Sequence, residues 1–273
     1  MNLKECLLEK NACYIKGERI TPTGIMVHST GANNPRLSRY VQPNDGLLGV
    51  NKYGNDWNTY APDGRLICPH AFIGLLEDMK TVATYQTLPF NFKGWHSGKG
   101  SEGSANDLGY IGFEICEDGL DDPVYFEAVY REAKEFCAFL CSRFELDPFS
   151  RIIDHAEGHR LGYASNHGDV SHWFKKFGKT MDDFRGDVFG FMQGAELPPS
   201  ERKTFKVKIG RFVYKEHAQR LLKELKAKGY GCFIVRRKGF YAVQVGAFSE
   251  GRNAQSMTEK FKGMGYQTYI DYE

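Results

Sequence analysis

The chain has 273 residues, about twice a common domain length and enough for two separate cores. Its 41% hydrophobic and 26% charged residues exclude a chain that is disordered, or buried in a membrane, from end to end. The formal net charge of +2 conceals a division, because residues 1–201 sum to −8 and residues 202–273 to +10. An acidic front joined to a basic tail predicts two parts with different jobs, the tail meeting something negative.

The opening MNLKECLLEKNACYIKGERI has no apolar stretch behind a positive start and no small-residue cleavage site, so synthesis in the cytoplasm without a signal peptide is expected. No run approaches the roughly 18 apolar residues of a membrane helix, and no membrane partner is expected. The seven cysteines are an odd number without a CxxC pair. Cys137 and Cys141 therefore read as reduced, packed residues rather than a bridge or a metal site.

Short β-rich runs follow at Gly24–His28, Ala71–Leu75, Thr81–Thr87 and Tyr110–Cys116, alternating with helical stretches. The longest helix is predicted over Pro123–Phe144, with Asp121 and Asp122 as caps and Val124, Ala128, Tyr130, Phe136, Phe139 and Leu140 on its apolar side. Strands mixed with helices predict an α/β fold, a mixed β-sheet flanked by helices. Gly194–Thr204 (GAELPPSERKT) is proline-rich and polar without apolar periodicity, which predicts a linker. The expected domains are thus 1–193 and 205–273, joined by 194–204.

Beyond the linker the chain repeats itself at an offset of 36, with Val207/Val243, Gly210/Gly246, Phe212/Phe248, Ala218/Ala254, Gly229/Gly265 and Tyr230/Tyr266 in register. Each copy reads as a strand, an amphipathic helix ending at a glycine, and a second strand. Two copies make an α+β, βαββαβ domain with one sheet face under the helices. The other face is expected to carry Lys206, Lys208 and Gln244.

His28 ends an apolar strand, and residues 154–172 hold four histidines (His155, His159, His167, His172), two aspartates and a glutamate in a stretch interrupted by Gly and Ser. That density predicts a loop-built metal site of the kind zinc takes. HAEGH is not HExxH, since the glutamate is one place late and the glycine opposes a helix. The His-x-Glu lacks the Pro-Cys-x-x-Cys partner of a deaminase. A three-ligand site open to water fits better.

GIMVHST, WHSG at Trp95–Gly98, IGFEI at Ile111–Ile115 and DHAEG…HGDVSHW, in this order, resemble the type 2 N-acetylmuramoyl-L-alanine amidases over residues 20–175. Bacteriophage lysozyme-amidases and peptidoglycan recognition proteins share that fold. The resemblance implies Zn²⁺ held by His28, His155 and Asp169. The interval from His155 to Asp169 is longer than usual in the family, which leaves His167 or His159 as alternative third ligands. It also implies Glu114 as general base, and places Trp95 and His96 in the substrate groove. Where many members carry an oxyanion-stabilising lysine two residues before the third ligand, this chain has His167, so that role would depend on protonation. Zinc with three protein ligands would activate a water, and Glu114 would take its proton and pass it to the leaving amine.

The tail, with YAVQVGAF and KAKGYGCFIV, resembles a SPOR domain, a module that binds peptidoglycan glycan strands. A competing reading is an RNA-recognition motif, because Arg237–Val245 imitates its RNP1 string; the amidase upstream favours wall glycan, and no nucleic acid is expected. Together the resemblances imply an endolysin-like peptidoglycan hydrolase of phage or prophage type. It would cut between the muramic acid lactyl group and L-alanine, after release through a holin. The rival is a non-catalytic recognition protein of the same fold, against which the retained ligands and Glu114 count.

Overall fold

A computed structural model describes residues 1–193, 205–237, 239–248 and 251–272; the linker expected over 194–204 lies outside them. The chain divides into two units, Met1–Gly194 and Ala195–Glu273.

The first unit runs β1 (Leu3–Glu5), α1 (Ala12–Lys16), β2 (Gly24–Asn33), β3 (Ala71–Leu75), β4 (Val82–Gln86), β5 (Tyr110–Glu117), α2 (Pro123–Phe144), α3 (Pro148–Arg151), β6 (Ile152–Asp154), α4 (His155–Arg160), α5 (Ser171–Phe174) and α6 (Met181–Met192). Its six strands form one mixed sheet in the order β1-β4-β3-β5-β2-β6, in which only β3 and β4 run antiparallel. The inner strands β2 and β5 are covered on both faces, which is why GIMV and YIGF read as nearly unbroken apolar runs. Parallel β5, β2 and β6 also bring their carboxyl ends to one edge, where open α/β sheets place their chemistry.

Helix α2 begins where its sequence allows. Asp122 accepts hydrogen bonds from the Val124 and Tyr125 amides, and Pro123 follows it in the first turn. Its buried face differs from the expected one. Tyr125, Phe126, Val129, Tyr130, Ala133, Phe136, Cys137, Leu140 and Cys141 are covered, whereas Val124 is 77% exposed. The aromatics offer more area at helical spacing than a first-turn valine, so they set the helix's rotation.

The stretch 154–172 is more regular than the expected loop, for it contains α4 and α5. Gly158 opposes a helix by propensity, yet a Cβ there would lie 2.5 Å from Met26 Cε. Space against β2 therefore outweighs a helix penalty of about 1 kcal/mol. Asp154 and Glu157 close a capping box that starts α4.

The second unit comprises β7 (Phe205–Phe212), α7 (Lys215–Ala227), β8 (Phe233–Arg237), β9 (Phe240–Phe248), α8 (Gly251–Gly263) and β10 (Thr268–Tyr272). Its sheet is antiparallel, in the order β10-β7-β9-β8. Repeat-related residues fill one core: Val207 with Val243, Ala218 with Ala254, and Leu225 with Phe261. Both helices turn out through a left-handed glycine, Gly229 at φ 83° and Gly265 at φ 87°. In each case the following tyrosine amide bonds back to the helix, Tyr230 to Leu225 and Tyr266 to Phe261, both at 3.0 Å. The sheet face expected to be open is only partly so. Lys208 and Gln244 are buried, and the Lys208 ammonium donates to Asp271 at 2.7 Å, since a buried charge needs a partner. Among the described residues, no helix is long and apolar enough to cross a membrane.

Candidate metal centre

His28 lies on β2, in register with Glu114 on β5, while Val27 pairs with Asp154 on β6. His155 is the first residue of α4, directly after β6, so strand pairing alone brings the two histidines to one edge. The Asp169 segment is fastened beside them. The His155 amide donates to the Asp169 carbonyl at 3.1 Å, and the fully buried Asp154 carboxylate accepts from both the Glu157 amide and the Ser171 hydroxyl.

Three donor atoms converge as a result. His28 Nδ1 stands 3.0 Å from Asp169 Oδ2 and 3.1 Å from His155 Nδ1, and His155 Nδ1 stands 3.5 Å from Asp169 Oδ2. A tetrahedral zinc site with bonds of about 2.0–2.1 Å has ligand–ligand edges of about 3.3 Å, so the trio fits such an ion. The alternative third ligands are not among the converging donor atoms. His159 Nδ1 faces the Ala164 carbonyl at 3.2 Å, and His167 Nδ1 faces Ser165 Oγ at 3.0 Å, its ring centroid 4.8 Å from that of His155. His172 pairs with Glu117 at 3.1 Å, and Trp173 is buried in the core.

The charges here are unusually placed. Burial alone would raise the Asp169 carboxyl, but its contacts with the His155 and His28 rings outweigh it and hold the group well below the usual carboxylate range. Glu114 goes the other way, pushed well above its ordinary value by burial and then by Asp169 and Glu117. Glu117 is satisfied by Ser29 Oγ at 2.6 Å, whereas the buried Oε2 of Glu114 has no partner. An unpartnered carboxyl oxygen beside converging ligands is a group suited to receive a proton.

Trp95 and His96 leave the same loop in different directions. The Trp95 backbone pairs with Cys68 in both directions at 3.0 Å, and the side chain is 36% exposed. His96 is not free for a groove: its Nδ1 meets His28 Nε2 at 3.0 Å and its Nε2 meets the Tyr110 carbonyl at 3.1 Å. With both ring nitrogens engaged by protein, it has none to offer a substrate. Desolvation lowers the pKa of both His96 and His28, and brings that of His70, behind them, to about 4. All three are neutral donors and acceptors near neutral pH.

Residues 18–170 match the family model described as N-acetylmuramoyl-L-alanine amidase. The chain belongs to that family. Residues 197–236 and 238–273 match the SPOR domain, so the amidase domain is followed by a SPOR domain. Similar solved structures include the peptidoglycan binding domain of the B. subtilis cell wall lytic enzyme CwlC, 32% identical over 28% of this chain and 98% of that one, with a TM-score of 0.25. The PlyG catalytic domain is 18% identical over 72% of this chain and 99% of its own, with a TM-score of 0.48. The Staphylococcus aureus hydrolase AmiA, in complex with its ligand, is 16% identical over 72% and 88%, with a TM-score of 0.47. No curated protein matches the chain.

Sequence reasoning missed the supporting residues around the amidase site. Asp154 was legible only as an acid before a histidine, and Ser165 only as a loop serine. Gly112 carried a clearer signal: a glycine in an otherwise apolar strand marks a close approach, and a Cβ there would fall 2.3 Å from the His96 ring.

Proposed function

We propose that the chain is a zinc-dependent peptidoglycan hydrolase that cleaves the amide between N-acetylmuramic acid and L-alanine, with its SPOR domain holding wall glycan. The convergence of His28 Nδ1, His155 Nδ1 and Asp169 Oδ2 beside the unpartnered Oε2 of Glu114 carries this reading. Zinc bound there would supply Lewis acidity to a water and to the scissile carbonyl. Glu114, with a carboxyl of raised proton affinity, takes the proton from the attacking water and returns it to the leaving amine. His167 has Nδ1 tied to Ser165, so it serves the developing oxyanion through Nε2 when both ring nitrogens are protonated. The exposed Trp95 ring offers an apolar face for a sugar or peptide. The basic SPOR tail suits an anionic wall by plain electrostatics, and its contribution should weaken with salt.

Dye release from purified bacterial walls tests this with the full chain. Lysis should stop on zinc removal by EDTA, return on adding Zn²⁺, and stay at background in Glu114→Ala. Undiminished release in both cases would overturn the catalytic reading in favour of a non-cutting recognition protein.

A further inference from the structure

The hydrogen bonds around His96 fix where its protons lie. A carbonyl oxygen only accepts, so the contact of His96 Nε2 with the Tyr110 carbonyl at 3.1 Å requires the proton on Nε2. His96 Nδ1 is then an acceptor, and its partner at 3.0 Å, His28 Nε2, must be the donor. Asp169 Oδ2, 3.0 Å from His28 Nδ1, also only accepts and so competes for the single proton of neutral His28. A cation held by the Nδ1 lone pairs of His28 and His155 would remove that competition and leave the proton on Nε2, facing His96.

The loop holding His96 is built to keep it there. The His96 and Ser97 amides both donate to Oδ1 of the fully buried Asn106, at 2.9 and 3.3 Å. On the other side, His70 Nε2 donates to the Phe92 carbonyl at 2.8 Å, and its Nδ1 accepts the Gly112 amide at 3.1 Å. That bond pins the one residue whose missing Cβ leaves room for the His96 ring. The same loop also reaches the second histidine. Ser165 Oγ donates to the Ser97 carbonyl at 3.2 Å and is left to accept from His155 Nε2 at 3.3 Å, which frees His155 Nδ1 in turn.

We propose that His96 is a positioning residue that acts through His28: by accepting the Nε2 proton it holds the ring in the tautomer and orientation that present Nδ1 to a metal. The inference rests on the metal reading above. Groups behind metal-ligating histidines typically affect affinity by about 10–100-fold.

Two substitutions in the full chain separate positioning from packing. His96→Phe keeps the ring's bulk and removes the acceptor; His96→Asn loses bulk and keeps an acceptor oxygen near the place of Nδ1. Zinc affinity, measured by chelator competition, should fall by about 10–100-fold in His96→Phe and by no more than about threefold in His96→Asn, with thermal unfolding of each apo-protein recording that it is folded. In the zinc-loaded protein, the His28 Nε2 proton should resonate downfield, as a hydrogen-bonded proton, in wild type and His96→Asn, and move upfield in His96→Phe. Wild-type affinity in His96→Phe, equal losses in both variants, or His28 protonated at Nδ1 in wild type would each overturn the proposal. A wild-type chain that binds no zinc would overturn the metal reading and the proposal with it, whereas zinc held equally by wild type and His96→Phe would overturn the proposal alone.

Discussion

The amidase domain and the SPOR domain bury polar groups in opposite ways. In the first, His28, His96, Glu114, Asp154, His155 and Asp169 come from separate segments and meet at one sheet edge. In the second, the core is made twice from one pattern, Ala218 and Leu225 answering Ala254 and Phe261. Its buried lysine, Lys208, has a carboxylate partner. The contrast separates a domain that retains an unsatisfied acid, Glu114, from one whose repeat serves packing. Unsatisfied burial is costly, and functional sites are where it is retained.

The sharpest challenge to that contrast lies within the amidase domain. Asp169→Ala should lose both metal and hydrolysis to background, while His167→Ala should keep stoichiometric zinc and lose about 10²–10³-fold in rate, the range for one oxyanion donor. Metal analysis beside wall-lysis rates reads both, and loss of zinc from His167→Ala would move the third ligand to His167. A smaller effect is expected across the two domains. Phe261 is fully buried in the SPOR core, so Phe261→Ala should cost about 3–5 kcal/mol there. Sedimentation with walls should drop, while turnover of a soluble muropeptide stays at the wild-type rate; a parallel loss of turnover would show that the domains do not act separately.

The smallest effect is one of stability. The folded-state pKa of Glu114 lies well above its ordinary value of 4.5. Its neutral form therefore favours the fold, and that contribution is lost as pH rises from the unfolded value through the folded one. Metal-free Glu114→Gln, which does not titrate, should match wild type at pH 4 and melt higher at pH 7, while remaining inactive. A wild type that melts as high as the variant at pH 7 would remove Glu114 as a strained base.

Much of this was legible in the sequence because it rests on local rules. Parallel central strands are apolar throughout, so GIMV and YIGF announce themselves. A helix with Asp122 and Pro123 at its start does so too, and a gapless repeat displays its topology. His28, His155 and Asp169 stood out as metal-prone residue types. What stayed hidden depends on which surfaces meet. The glycine of HAEGH reads as a helix breaker until Met26 is seen to fill the space beside it. Lys208 reads as solvent-facing until Asp271 is found opposite. His96 reads as a groove residue until His28 and Tyr110 are found to occupy both its nitrogens. Tertiary partners decide these cases, and no periodicity encodes them.

The separation of the ligands along the chain has a thermodynamic consequence. His28 is 141 residues from Asp169 and 127 from His155. An ion bridging them would therefore close a loop spanning most of the amidase domain, as a long-range cross-link does. On the chain-entropy scale, a closure of that length removes about 5 kcal/mol of freedom from the unfolded state. Zinc would then clasp distant stretches of the chain together at one sheet edge as well as serve the reaction, and a chelator would loosen the domain's fold while it silenced the site.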